Sequence, residues 1–198
     1  SDSAEAKEFA KLAFSLSETY DTPVILRLTT RVAHSQSLVE LGERENVPLR
    51  PYERNIAKYV MMPANARVRH TVVEERMQRL SEDANGFAVN RIEEGSKKLG
   101  IICSGGVYEY VKEALPDASV LKLGMVYPLP YKLIETFAKS VERCIVAEEL
   151  APHLETLIKA HGIAVEGKSI FPRCGEFSAN LIRGRVLGES CENKPAAV

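Results

Sequence analysis

Between residues 98 and 171, short apolar runs alternate with segments whose apolar residues recur every three to four positions. This alternation restricts the fold more than any other feature of the chain. Residues 98–104 (KLGIICS) read as a strand, Gly105-Gly106 as a tight turn and 107–115 as a helix. Strands are expected again at 118–125, 143–147 and 164–171, with helices at 131–140 and 152–160. Strands followed by helices through short connections predict a parallel sheet with right-handed crossovers and helices on both faces. The expectation is a three-layer α/β domain over residues 88–185, with 186–198 as an outgoing linker because the residues after Gly184 offer little to bury.

The part ahead of this domain is less complete. Asp2 and Glu5 make a capping-box-like start, and Phe9, Leu12, Ala13, Leu16 and Tyr20 form one stripe of a helix ending near Tyr20. TPVILRLTTRVAHSQ (22–36) follows at once, and its apolar first half predicts a strand over 22–30 buried on both faces. One helix and one strand cannot bury their apolar faces alone, so residues 1–45 are expected to end a domain whose other strands precede Ser1. A chain opening on a helix cap without an initiator Met fits an excised fragment. Residues 46–87 read as a linker and crossover helix, punctuated by Pro48, Pro51 and Pro63. A helix over 64–83 places Val73, Met77, Leu80 and Ala84 on one stripe. Arg67, Arg69, Arg76 and Arg79 fall on the remainder, read as a solvated face rather than an anion site, and Asn85-Gly86 is the stop. Tyr59–Pro63 is either a short strand or a packed strap.

Composition excludes several functions. The 198 residues carry 26 Lys plus Arg against 27 Asp plus Glu, a balance with no electrostatic footprint for nucleic acid or an anionic membrane. No apolar run approaches the roughly 20 residues of a transmembrane helix, and SDSAEAKEF is not a signal peptide. A cytoplasmic chain is expected. Cysteines at 103, 144, 174 and 191 lack metal-type spacing and read as reduced core thiols, so no metal site is expected.

Candidate chemistry gathers at two predicted strand ends. Thr29, Thr30, Arg31 and His34 follow the strand at 22–30, and ligands of open α/β sheets sit beyond carboxyl ends. Arg31 can take a carboxylate in bidentate fashion and His34 can donate to a carbonyl, which suits a 2-oxo acid; the alternative is that these side chains satisfy loop backbone or a neighbouring subunit. CIVAEEL runs into Glu148 and Glu149. Adjacent residues on extended chain point apart, which argues against a shared-proton dyad and for one carboxylate capping the next helix while the other makes a contact. His153 reads as a surface or interface histidine. The SGG turn at 104–106 lacks the third glycine of G-x-G-x-x-G and the Lys-Ser/Thr of a P-loop, so it reads as a tight turn. Neither G-x-S-x-G nor H-E-x-x-H is present.

Five segments carry a resemblance, in order: DTPVILRLTTRVAHS, YVMMPANARVRH, NRIEEGSKKLGIICSGGVYEYVKEAL, LKLGMVYPLP and VAEELAPHLE. They resemble the alpha subunits of indolepyruvate:ferredoxin oxidoreductases, in the thiamine-diphosphate-dependent 2-oxoacid:ferredoxin oxidoreductase family. The resemblance implies that residues 1–45 end a pyrimidine-binding thiamine domain and that 88–185 resemble the transketolase C-terminal domain. It also implies a parent enzyme with thiamine diphosphate, Mg²⁺ and [4Fe-4S] clusters, a beta subunit, ferredoxin, CoA and an aryl pyruvate, and a possible homodimer. The family's Gly-Asp-Gly motif and closely spaced cysteines are missing here. The implied expectation is a fragment that binds no cofactor and is inactive alone, with Thr30, Arg31 and His34 near the substrate. The other reading is a non-catalytic assembly or subunit-interface module of a transketolase or 2-oxoacid dehydrogenase beta subunit.

Overall fold

The computed structural model describes residues 2–44, 46–49 and 51–189. The expected Cys191 thiol and most of the expected outgoing linker, 190–198, lie outside them. Four strands form one sheet: β1 (Arg91–Glu93), β2 (Ser96–Ser104), β3 (Ala118–Leu123) and β4 (Cys144–Ala147), in the spatial order β1-β3-β2-β4. β2 pairs in parallel with both β3 and β4. β1, absent from the sequence reading, pairs antiparallel with β3, so the sheet is mixed rather than all parallel. Three residues with only a half-buried outer position give too short a period-2 signal to stand out.

Alternation along the strands builds two cores. Ile101, Cys103, Val120, Ile145 and Ala147 face helix α5 (Val107–Ala114) and helix α8 (Ala179–Leu187). Ile102, Leu121, Leu123 and Val146 face α6 (Tyr131–Ser140) and α7 (His153–Ala160). The three-layer α/β domain is thus present. Its last helix was not anticipated: Ser178 caps it through the Leu181 amide, Ile182 and Val186 are buried, and Gly188 closes it in the left-handed conformation. Residues 186 and 187, expected as linker, are helical.

The strand expected at 164–171 is reduced to one bridge between Ile145 and Glu166. The chain then curls, with the amides of Ile170 and Phe171 both donating to the Gly167 carbonyl. A Cβ at Gly167 would sit 2.3 Å from Glu155 Oε2, so this turn packs directly on α7.

Helix α1 (Ser3–Tyr20) forms as expected, with the Asp2 carboxylate accepting from the Glu5 amide at 2.8 Å. The Glu5 side chain pairs with Lys122 of β3. Lys122 is 2% exposed and lies 4.2 Å from the Tyr108 ring, and Phe9 packs at Gly124. α1 therefore docks on the α/β domain, and Tyr20 Oη donates to Asp83 of α4 (Pro63–Asp83) at 2.6 Å.

The strand expected at 22–30 is absent. Residues 23–29 belong to no strand or helix, and Val24, Ile25, Leu26 and Leu28 are exposed, Ile25 at 90%. A strand needs a neighbour to satisfy its backbone, and no described segment supplies one. Tyr59–Pro63 is neither strand nor packed strap: a short helix, α3 (Ile56–Tyr59), precedes exposed Val60, Met61 and Met62.

Candidate functional site

Thr29, itself extended, caps α2 (Thr30–His34), its hydroxyl accepting from the Val32 amide. Residues three and four apart share a helix face, so His34 lies beside both Arg31 and Thr30. All three are exposed. The sequence thus identified the polar cluster but misread its scaffold, a single helical turn rather than a strand end.

Arg31 Nη2 donates to Glu176 Oε2. The Glu176 carboxylate raises the Arg31 pKa, with smaller contributions from Tyr110 and Glu149. Glu176 lies on the loop before α8, which the sequence reading left out. Its neighbour Phe177 is buried against Phe171, ring centroids 5.1 Å apart, and donates its amide to Glu149 Oε1 at 2.7 Å. Glu149 thereby fixes the loop that meets Arg31.

Glu148 acts separately, as expected of adjacent residues. Its carboxylate accepts from the amides of His153 (3.1 Å), Leu154 (2.8 Å) and Glu155 (2.9 Å), capping α7 where Pro152 supplies no side-chain cap. The residue joining this loop to α7, Leu150, adopts φ 59°. His153 is the first residue of α7, and it is exposed. Lys168 donates its ammonium to the carbonyls of Glu148 and Pro172; burial lowers its pKa against the opposing pull of Glu148 and Glu155. The structure pairs Arg31 with Glu176, whose neighbour Phe177 is held by Glu149, and assigns Glu148 to helix capping.

Two further clusters were not anticipated. Asp21, the left-handed C-cap of α1, accepts from Lys58 at 2.5 Å and lies 3.7 Å from Arg69 and Arg76. Lys58 holds its carboxyl below the usual range despite some burial. Arg76 is only 13% exposed, so this side of α4 is not a solvated face as its sequence suggested. An open cleft of about 350 Å³ beside Asp21 is lined by Ser17, Glu18, Thr22 and Pro23. In the second cluster, burial opposes ionisation of Glu93. Hydrogen bonds involving Lys112, Tyr108 and Arg91 prevail and bring its pKa to about 2.

No three His, Cys, Asp or Glu side chains among the described residues converge as a metal site. Cys103 and Cys144 are buried, and burial pushes each thiol to about 12; Cys174 is exposed. These residues do not fit an iron–sulfur cluster or a magnesium–diphosphate site.

No family model matches the chain. The α/β fold is shared with a solved 2-oxoglutarate:ferredoxin oxidoreductase from Magnetococcus marinus: the TM-score is 0.51 at 22% identity, over 65% of this chain and 24% of that one. In sequence, the chain matches a fragment of the indolepyruvate oxidoreductase subunit IorA. It is 37% identical to that subunit from Methanothermobacter marburgensis over 95% of this chain and 33% of the relative. It is 39% identical to the Archaeoglobus fulgidus subunit (83% and 27%) and 38% identical to that of Pyrococcus abyssi (88% and 30%). The chain spans about a third of the length of these relatives.

Proposed function

We propose that this chain is part of a ferredoxin-dependent 2-oxoacid oxidoreductase that oxidatively decarboxylates an aryl pyruvate, indolepyruvate, to its acyl-CoA. Residues 1–45 would end a pyrimidine-binding domain, 46–87 link it to a transketolase-C-like domain at 88–185, and 186–198 lead onward. The observation that carries the reading is the exposed cluster of Thr30, Arg31 and His34 on one face of α2, within a sequence similar to IorA over nearly its whole length. Arg31 already engages a carboxylate, the group a 2-oxo acid presents. In this reading Arg31 binds the substrate carboxylate, Thr30 and His34 donate to or orient the ketone, and the Glu149-fixed loop holds the cluster against the α/β domain.

The parent's thiamine diphosphate would supply the carbon chemistry. The described residues do not compose a site for it, so in this reading the fragment alone is inactive and loads neither that cofactor, Mg²⁺ nor a cluster. The rest of the alpha subunit, a beta subunit, ferredoxin and CoA are the partners this assigns, in a cytoplasmic assembly that would also permit a homodimer. The chain gives no helix among its described residues long and apolar enough to cross a membrane.

Calorimetric titration of thiamine diphosphate with Mg²⁺ into the fragment tests one half, with no binding expected; tight binding refutes it. Indolepyruvate-dependent dye reduction by the parent and its Arg31→Ala variant tests the other. Loss of one charge-assisted contact predicts a KM raised about tenfold or more. A fully active variant with unchanged KM would leave α2 as scaffold.

A further inference from the structure

The partner of Arg31 lies 145 residues away, on a loop whose placement has its own support. Gly175 (φ +88°) turns the chain, Glu176 follows, and Phe177 is pinned by the core and by Glu149. Glu176 is thus presented to Arg31 of α2 by a fixed neighbour. Both side chains remain open to water, 65% exposed for Arg31 and 68% for Glu176, so a dissolved carboxylate can reach the guanidinium without unpacking anything.

We propose that Glu176 occupies the Arg31 guanidinium before substrate arrives and competes with an incoming substrate carboxylate for it. The inference rests on the reading that Arg31 receives the substrate carboxylate, and it adds what occupies Arg31 beforehand. Substrate entry is then an exchange of one carboxylate for another at the same guanidinium, with no covalent step. The apparent affinity falls by the fraction of molecules in which Arg31 is free. An exposed ion pair is weak, so that fraction is substantial and the effect is modest, about 1.5- to fivefold in KM. Glu149 stays with the Phe177 amide throughout, so the loop keeps its place when Glu176 lets go.

The test is steady-state kinetics of the intact parent enzyme carrying Glu176→Gln, Arg31→Ala, or both, with the 2-oxo acid varied at saturating CoA and acceptor. Glu176→Gln is expected to lower KM by about 1.5- to fivefold with kcat unchanged. The double variant is expected to show the KM of Arg31→Ala alone, because the competitor has nothing left to occupy. A KM for Glu176→Gln that is unchanged or raised, where Arg31→Ala raises it, overturns the competition while leaving Arg31 as the carboxylate site. An unchanged KM in Arg31→Ala overturns both. Glu176→Ser provides a second variant should the glutamine enzyme assemble poorly, with the same KM-against-kcat split expected.

Discussion

Glu148→Ala separates a helix cap from an acid–base carboxylate. One carboxylate accepts three α7 amides, those of His153, Leu154 and Glu155, and α7 has no other side-chain N-cap. A single cap residue contributes about 0.5–2 kcal/mol, and hydrogen bonds to a charged acceptor lie at the upper end of that scale. Water can replace the carboxylate at exposed His153, but Leu154 and Glu155 are buried, so roughly two of the three amides lose their acceptor for good. The expected loss is about 2–3 kcal/mol for Glu148→Ala and about 1 kcal/mol for Glu148→Gln, which keeps one acceptor oxygen. In urea, with an m-value of about 2–3 kcal/mol/M, the alanine variant should unfold at a midpoint about 1 M lower by far-ultraviolet circular dichroism. Amide exchange at 153–155 should accelerate ahead of the rest of α7. A Glu148→Ala chain within about 0.5 kcal/mol of the native one would refute the capping argument. Loss of parent activity in Glu148→Gln without loss of stability would return Glu148 to acid–base work.

Three more outcomes are expected. The Glu93 pKa of about 2 is depressed from its ordinary 4.5, so its stabilisation is complete above about 4.5 and is lost as pH falls toward 2. Discounted for solvent screening, the loss is about 1–2 kcal/mol, read by acid denaturation of Glu93→Gln against the native chain, whose difference should vanish by the bottom of that window. Gly167→Ala places a Cβ 2.3 Å from Glu155 Oε2, a carboxylate that also accepts the Lys168 amide at 2.7 Å. It should cost about 2–3 kcal/mol by urea denaturation, and no change would mean that the 167 turn gives way freely. A thiol reagent at neutral pH should label Cys174 in the folded chain, while Cys103 and Cys144, buried and pushed to about 12, react only on unfolding. Labelling of Cys103 at the Cys174 rate would contradict the burial of β2.

The α/β domain was legible because strand and helix periods were strong and the connections short: β2, β3, β4 and the helices between them fall within two residues of expectation. Failures came where the local pattern was not decisive. CIVAEEL gave the capping role of one glutamate through the geometry of adjacent extended residues alone. Residues 22–30 carry the composition of a buried strand, yet strand formation depends on a partner that lies elsewhere in the sequence. β1 is too short to show alternation, and residues 164–171 lose their strand to the turn at Gly167. Glu176 sits in an aperiodic loop, and its meeting with Arg31 spans 145 positions that no local pattern can bridge. A carboxylate following a left-handed glycine just before a helix cap was the available clue to an ordered loop.

The distribution of polar satisfaction decides which part of the molecule can bind a ligand. At the carboxyl ends of β2 and β4, where an open α/β sheet ordinarily holds one, the charged groups are already consumed: Glu148 by α7, Glu149 by the Phe177 amide, Lys168 by two carbonyls. Recruiting any of them would leave buried amides or carbonyls unsatisfied, at about 1–3 kcal/mol each. Releasing Arg31 from Glu176 exposes two groups that water already reaches, and costs no more than an exposed ion pair. Ile25, Leu38, Leu41 and Leu49, all at least 90% exposed, flank the same cluster in sequence. Burying one such side chain would contribute about 1.5–3 kcal/mol. The proposed ligand site on α2 therefore draws on groups that are free to exchange partners, and the α/β domain contributes a backing through the loop that Glu149 pins.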